Sequence, residues 1–322
     1  MRTKRLGRTG LEVSIVGLGA AFLGIPHPNL AAKEYSGGPS QMDEDLGVAA
    51  IHAAVEAGCT LIDTAPLYGR GRSERTIARA LRERPDLRAR CTVTTKVGHM
   101  PEGFDYSYDM TMRCVEESQR RLEMERFDVL YIHDAMGQPM EKVMGKDRTL
   151  GALRKLQDQG IVGHVGSAAN DPATNAPYIE TGEFDAAVVP EAYSLLNQTA
   201  RERILPAAEK FNVGLVIATP LERGLLATGP VSGIDYLARK FSPACLDHVA
   251  RIQALCARHG IPLVAASLQW CVRHPQVAAT IPGARTPEEA RASVQAGDVT
   301  IPDAFWAELE PLVRHWESGV DR

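Results

Sequence analysis

The feature that most constrains this chain is an alternation running almost its full length, in which short apolar, β-branched runs take turns with longer segments of helical period. TLIDTAP (60–66) reads as a strand, and SERTIARALRER behind it sets Ile77 and Leu81 four apart on one helix face. CTVTTKVG (91–98) precedes MTMRCVEESQRRLEM, which is charged on one side and carries Val115 and Leu122 on the other. FDVLYIHD (127–134) leads into LGALRKLQDQG, whose Gly160 suits a left-handed C-terminal cap. The pattern continues through IVGHVGSAAN with PATNAPYIETG, FDAAVVPEAYSLL with RERILPAAEKFN, GLVIATPL with DHVARIQALCARHG, and PQVAATIPGAR with PEEARASVQAG. VSIVGLG supplies a first inner strand.

This makes about eight strands, nearly all apolar on both sides, which requires a parallel sheet covered on both faces. Repeated right-handed βα units either close into a barrel or wind into an open sheet. Polar residues stand where the strands end, at Asp63, Lys96, His133, Asn170 and Thr219. In a (β/α)8 TIM barrel such positions converge on one rim, whereas an open sheet would spread them along a crevice. The glycines of GLGAAFLG, at 17, 19 and 24, miss the GxGxxG spacing of a dinucleotide-binding turn. The expected fold is therefore an α/β barrel, read as a single domain over residues 1–322, with an appended C-terminal helix in DAFWAELEPLVRHWESG. Residues 27–41, rich in Pro and Gly, and residues 143–148 read as loops near the rim.

Composition removes several function classes. Among 322 residues, 36 Lys and Arg stand against 40 Asp and Glu, a net charge of −4 with both signs interspersed, so no basic stripe is present to track nucleic acid. The six cysteines lack any CxxC pair, which fits reduced thiols in a cytoplasmic protein rather than a disulfide framework. No two of the nine histidines form HxxxH or HxH, so no metal site is expected. The N-terminal stretch turns from basic to apolar, as secretory leaders do, but Glu12 and Ser14 interrupt it. No run approaches about 18 apolar residues, so no membrane partner is expected. The chain is expected to act as a monomer or small homo-oligomer on a small molecule.

The strand ends IDTAPLYG, VTTKVG and YIHD bring Asp63, Tyr68, Lys96 and His133 to one rim. Each alone has a structural reading: a turn-capping Asp, an amphipathic surface Tyr, a snorkelling Lys, a hydrogen-bonded His. Together they suggest acid–base chemistry. A phenol has a pKa near 10, and drawing it toward neutrality takes about 3–4 kcal/mol, within reach of a desolvated ammonium beside it. Lys96 is expected to favour the phenolate, Asp63 to orient Lys96, Tyr68 to act as general acid/base and His133 to hydrogen-bond the substrate oxygen.

These motifs, from RLGRTGLEVSIVGLGAAFLG through IDTAPLYG, TTKVG, YIHD and PLERGLL to IPGARTPEEA, resemble the aldo-keto reductase superfamily over essentially the whole chain. The similarity is strongest to its subgroup of D-threo-aldose (L-fucose), L-galactose and pyridoxal dehydrogenases. The resemblance implies a (β/α)8 barrel, a nicotinamide cofactor, and a tetrad falling on Asp63, Tyr68, Lys96 and His133. It implies that Asn170, with Ser167 nearby, holds the nicotinamide carboxamide, although GSAAN departs from the commoner VSN. Thr219, Leu221 and Gly224 are implied to line the pyrophosphate. The Tyr that often stacks on the nicotinamide is replaced here by Ala218 or Thr219, leaving that contact absent or supplied by Tyr193. The Lys and Arg that clamp a 2′-phosphate in NADPH-specific relatives stand here as Gly283 and Glu289, with Arg285 on the same loop. Removing cations and adding an anion points to NAD over NADP. The implied reaction is oxidation of an aldose at C1 to a lactone. Reduction of aldehydes or ketones, pyridoxal-type aldehydes included, is the alternative within enzymes, and a cofactor-binding regulatory subunit, with Trp306 and Trp316 at an interface, the alternative outside them.

Overall fold

The computed structural model describes residues 1–25, 42–234, 236–317 and 320, so the loop expected at residues 27–41 lies outside the described residues. Eight strands form one sheet: β1 (Leu18–Gly19), β2 (Leu61–Asp63), β3 (Thr92–Val97), β4 (Phe127–His133), β5 (Val162–Ala168), β6 (Ala186–Val189), β7 (Gly214–Ala218) and β8 (Val277–Ile281). Neighbours pair in parallel and in chain order from β1 to β8. Parallel bridges Val16 to Thr280 and Gly19 to Gly283 bring the first strand against the last. The sheet is thus nearly closed on itself as a (β/α)8 barrel.

Helices α1 (Glu44–Glu56), α2 (Arg72–Glu83), α3 (Tyr108–Leu122), α4 (Thr149–Asp158), α5 (Pro172–Glu180), α6 (Ile204–Phe211), α7 (Pro243–Arg258), α8 (Leu263–Cys271) and α9 (Pro287–Ala296) lie between and after the strands. Local signals explain their ends. Asp43 caps α1, accepting from the Leu46 amide at 2.9 Å, with Glu44 and Asp45 in the positive first turn. Gly160, two residues past α4, has φ +73°, the left-handed exit its position predicts. α10 (Asp303–Leu309) is the appended helix and buries Phe305, Trp306 and Leu309.

Strand periodicity decides where the core and the site sit. Along β4, Val129 and Tyr131 belong to the apolar cluster inside the barrel, whereas Leu130 and Ile132 pack outward under the helices. The same two-residue period puts Leu61 inside and Ile62 outside on β2, and Val93 and Val97 outside on β3. Extending each inward set to its strand's C-terminal end brings Asp63, Lys96 and His133 to one opening.

The other end of the barrel is closed by an antiparallel hairpin, Thr3–Arg5 with Glu12–Ser14, which the charged segment TKR does not announce. Here VSIVGLG divides: Val13 and Ser14 belong to the hairpin, Leu18–Gly19 to β1 of the barrel, and Val16 bridges to β8. Arg8 in the hairpin turn donates to Asp185 Oδ1 (2.8 Å) and to the carbonyls of Gly182 (2.8 Å), Phe184 (2.9 Å) and Phe211 (3.2 Å). Between α2 and α3, Glu74 is fully buried; it accepts from Arg121 Nε at 2.5 Å and from Thr95 Oγ1 at 2.8 Å.

Candidate active site

The C-terminal rim opens into a cavity of about 1510 Å³. This exceeds the ~300–1,000 Å³ of an ordinary small-ligand pocket. Asp63, Tyr68, Lys96 and His133 all line it. Asp63, Lys96 and His133 are each at most 3% exposed, and Lys96 Nζ donates to Asp63 Oδ1 at 2.5 Å and to the Thr64 carbonyl at 2.7 Å. Thr94 Oγ1 donates to the second oxygen of Asp63 at 2.9 Å, so the carboxylate is held on both sides. The ammonium stands 4.9 Å from the centre of the Tyr68 ring, and the His133 ring meets that ring edge-on at 6.0 Å.

The electrostatics differ from the expectation for the phenol. Burial, then the charges of Asp63 and Asp134, hold the Tyr68 hydroxyl well above its ordinary pKa. Lys96 is paired with Asp63 and lies over the ring face, and its charge does not offset the burial of the phenol. Tyr68 is therefore a protonated phenol, arranged as an acid. Burial, opposed by Asp134 and helped by Lys96, pulls His133 down to a pKa of about 3, and its imidazole is neutral.

The residues expected around a cofactor divide by strand parity. Asn170, Thr219, Leu221, Gly224, Gly283, Arg285 and Glu289 line the cavity, whereas Ser167 does not. On β5, Ala168 joins the interior cluster, so Ser167 points outward, where its buried Oγ donates to Asn175 Oδ1 at 2.9 Å. Asp171 caps α5, accepting from the Ala173 amide at 3.0 Å. Tyr193 is buried against Trp270 at 4.8 Å, away from the cavity lining, while Ala218 is part of that lining.

Three groups escaped the sequence reading. Asp134 is 2% exposed, lines the cavity and adopts φ +50°. It accepts from His99 Nδ1 (3.1 Å), the Asn170 amide (3.1 Å) and Asn170 Nδ2 (3.4 Å), and its Oδ2 lies 3.4 Å from His133 Nε2. Burial raises the Asp134 pKa, but His133, His99 and the Asn170 amide outweigh it and hold the carboxyl below its ordinary value. His99 stacks on Phe104 at 4.1 Å. Beneath the loop after β7, the buried Arg239 pairs with Glu191 (2.6 Å) and Glu222 (2.9 Å).

These features can be tested against a dinucleotide. Such a ligand needs polar recognition at one end, close backbone approach at its phosphates and hydroxyl recognition at the other. Asn170 offers an amide, and Gly224, at φ +104° with open space where a Cβ would stand, leaves the backbone approachable. At the far end Glu289 accepts from the Arg285 amide at 2.8 Å and pairs with the Arg285 guanidinium. The residues present fit the group.

Comparison with known proteins decides the family. The sequence profile of the aldo/keto reductase family matches residues 29–314. This chain belongs to the aldo/keto reductase family. It is 31% identical to pyridoxal 4-dehydrogenase of Microbacterium luteolum, over 95% of this chain and 96% of that protein. It is 29% identical to D-threo-aldose 1-dehydrogenase of a Pseudomonas species, over 93% and 94% respectively. The holo form of the aldo-keto reductase AKR11C1 from Bacillus halodurans superposes with a TM-score of 0.77 at 25% identity, covering 99% of each chain. The protein is thus an aldo/keto reductase-family oxidoreductase with a TIM barrel, in a family that uses nicotinamide cofactors. Among the described residues, no helix is long and apolar enough to cross a membrane.

Proposed function

We propose that residues 1–322 form one catalytic domain that oxidises an aldose at C1 to a lactone, with NAD as hydride acceptor. The observation that carries this reading is the convergence of Tyr68, Lys96, Asp63 and His133 on one cavity wall. When bound, the cofactor supplies a hydride acceptor or donor; the chain's task is to hold the substrate oxygen and move its proton.

His133 and Tyr68 grip the reacting oxygen, and Tyr68 exchanges the proton with it. Asp63 and Thr94 fix Lys96, which keeps the ring in place and stabilises negative charge developing on the phenol oxygen. Asn170 would hold the cofactor's carboxamide, and the approachable backbone around Thr219, Leu221 and Gly224 would take its phosphates. Glu289 favours a ribose hydroxyl over a 2′-phosphate, since a carboxylate accepts a hydroxyl and repels an anion, and Gly283 brings no cation to the same wall. Arg285 is already paired with Glu289 and is withdrawn from service to a phosphate. The two dehydrogenases that resemble the chain over more than nine-tenths of its length support oxidation of a sugar or of an aldehyde-derived carbinol.

The test is direct. Protein mixed with NAD and a panel of aldoses is expected to produce reduced nicotinamide, read by its absorbance. A panel without turnover, alongside cofactor-dependent quenching of tryptophan fluorescence, would turn the reading into that of a cofactor-binding subunit.

A further inference from the structure

The tetrad accounts for one substrate oxygen, yet the cavity presents a second buried acceptor beside it. Asp134 Oδ2 lies 3.4 Å from His133 Nε2, the imidazole nitrogen next to this carboxylate. Two oxygens on neighbouring carbons of a sugar lie about 3 Å apart, within one hydrogen-bond length. A substrate oxygen held by His133 therefore places the oxygen of the adjacent carbon within reach of Asp134.

The carboxylate is held for such a role. The Asn170 amide donates to Oδ1, while His99 Nδ1 and Asn170 Nδ2 donate to Oδ2. Oδ2 already meets two donors and His133, whereas Oδ1 meets the Asn170 amide; with about two lone-pair directions on each oxygen, acceptor capacity remains on Oδ1 of a group that lines the cavity. Its donors also keep it ionised, and an ionised carboxylate only accepts. It rewards a neighbouring hydroxyl, gives nothing to a methylene and repels an anion.

We propose that Asp134, held by His99 and Asn170, recognises the hydroxyl on the carbon next to the reacting one, so that the enzyme selects α-hydroxylated carbonyl and carbinol compounds. This inference rests on the oxidoreductase reading above and names the substrate class of the same site.

Three substrates separate the outcomes: an aldose that turns over, its 2-deoxy analogue and its 3-deoxy analogue. In the wild type, kcat/KM for the 2-deoxy sugar is expected to fall about 10–100-fold below the parent, the range of a lost hydrogen bond to a charged group. The 3-deoxy sugar should stay within a fewfold. In Asp134→Asn, which keeps the shape and removes the charge, the parent should fall while the 2-deoxy sugar changes little, closing the gap. Equal loss for parent and 2-deoxy sugar in that variant overturns the inference and makes Asp134 a positioning residue for His133. Equal turnover of parent and 2-deoxy sugar by the wild type also overturns it, while leaving the oxidoreductase reading intact. Absence of turnover with any aldose removes both.

Discussion

At the scale of single residues, the state of Tyr68 sets the pH behaviour. A phenol held above its ordinary pKa stays protonated through neutrality, so reduction, which needs the acid, should be flat there. Oxidation needs the base form, and its kcat/KM should climb as pH rises through the alkaline range. His133, pulled down to about 3, carries no charge change between pH 5 and 9, so neither profile should inflect near the 6.5 of a free imidazole. An inflection there would show that His133 ionises during turnover. Tyr68→Phe should cut turnover by at least about 100-fold, because the proton exchange is lost. Cofactor affinity, read by fluorescence quenching, should stay near wild type; an equal loss there would mean that the ring serves packing instead.

Elements explain what the sequence revealed and what it hid. Alternation located all eight barrel strands, and Gly160 marked the end of one helix. α8 was hidden because LVAASLQWC is buried at every position but Val264 and so lacks a polar face to give it a helical period. α1, with its run of alanines, shows only a weak contrast between its faces for the same reason. Tetrad placement was legible because the inward set on β2, β3 and β4 ends in a polar residue each time. The same parity, counted along GHVGSAAN, would have turned Ser167 outward before any coordinates. Asp134 was not legible: beside His133 it reads as a strand-ending turn residue, and only its left-handed backbone swings it into the cavity. The buried pair between α2 and α3 yields a prediction at this scale. Arg121→Ala strands the Glu74 carboxylate without its cation, and should lower unfolding stability by about 3–5 kcal/mol in a denaturant titration. The double variant Arg121→Met with Glu74→Gln should recover most of that loss.

The whole molecule responds to its cofactor through the cavity that all eight βα units help to build. A ligand present at 100 times its Kd stabilises the folded state by about 2.7 kcal/mol. NAD should therefore raise the melting temperature by a few degrees, and NADP at equal concentration by less, because Glu289 opposes the 2′-phosphate. A larger shift with NADP would reverse the cofactor assignment.

The seam where β1 meets β8 has a bearing on how the protein is made. Two parallel bridges, Val16 to Thr280 and Gly19 to Gly283, join segments separated by most of the chain, and a side chain at Gly19 would strike the Ile281 carbonyl at 2.8 Å. During synthesis the leading strand must wait, its hydrogen-bonding edge unsatisfied, until the final strand has emerged. Throughout that interval the nascent protein carries two adhesive margins, and its yield in a crowded cell depends on what shields them.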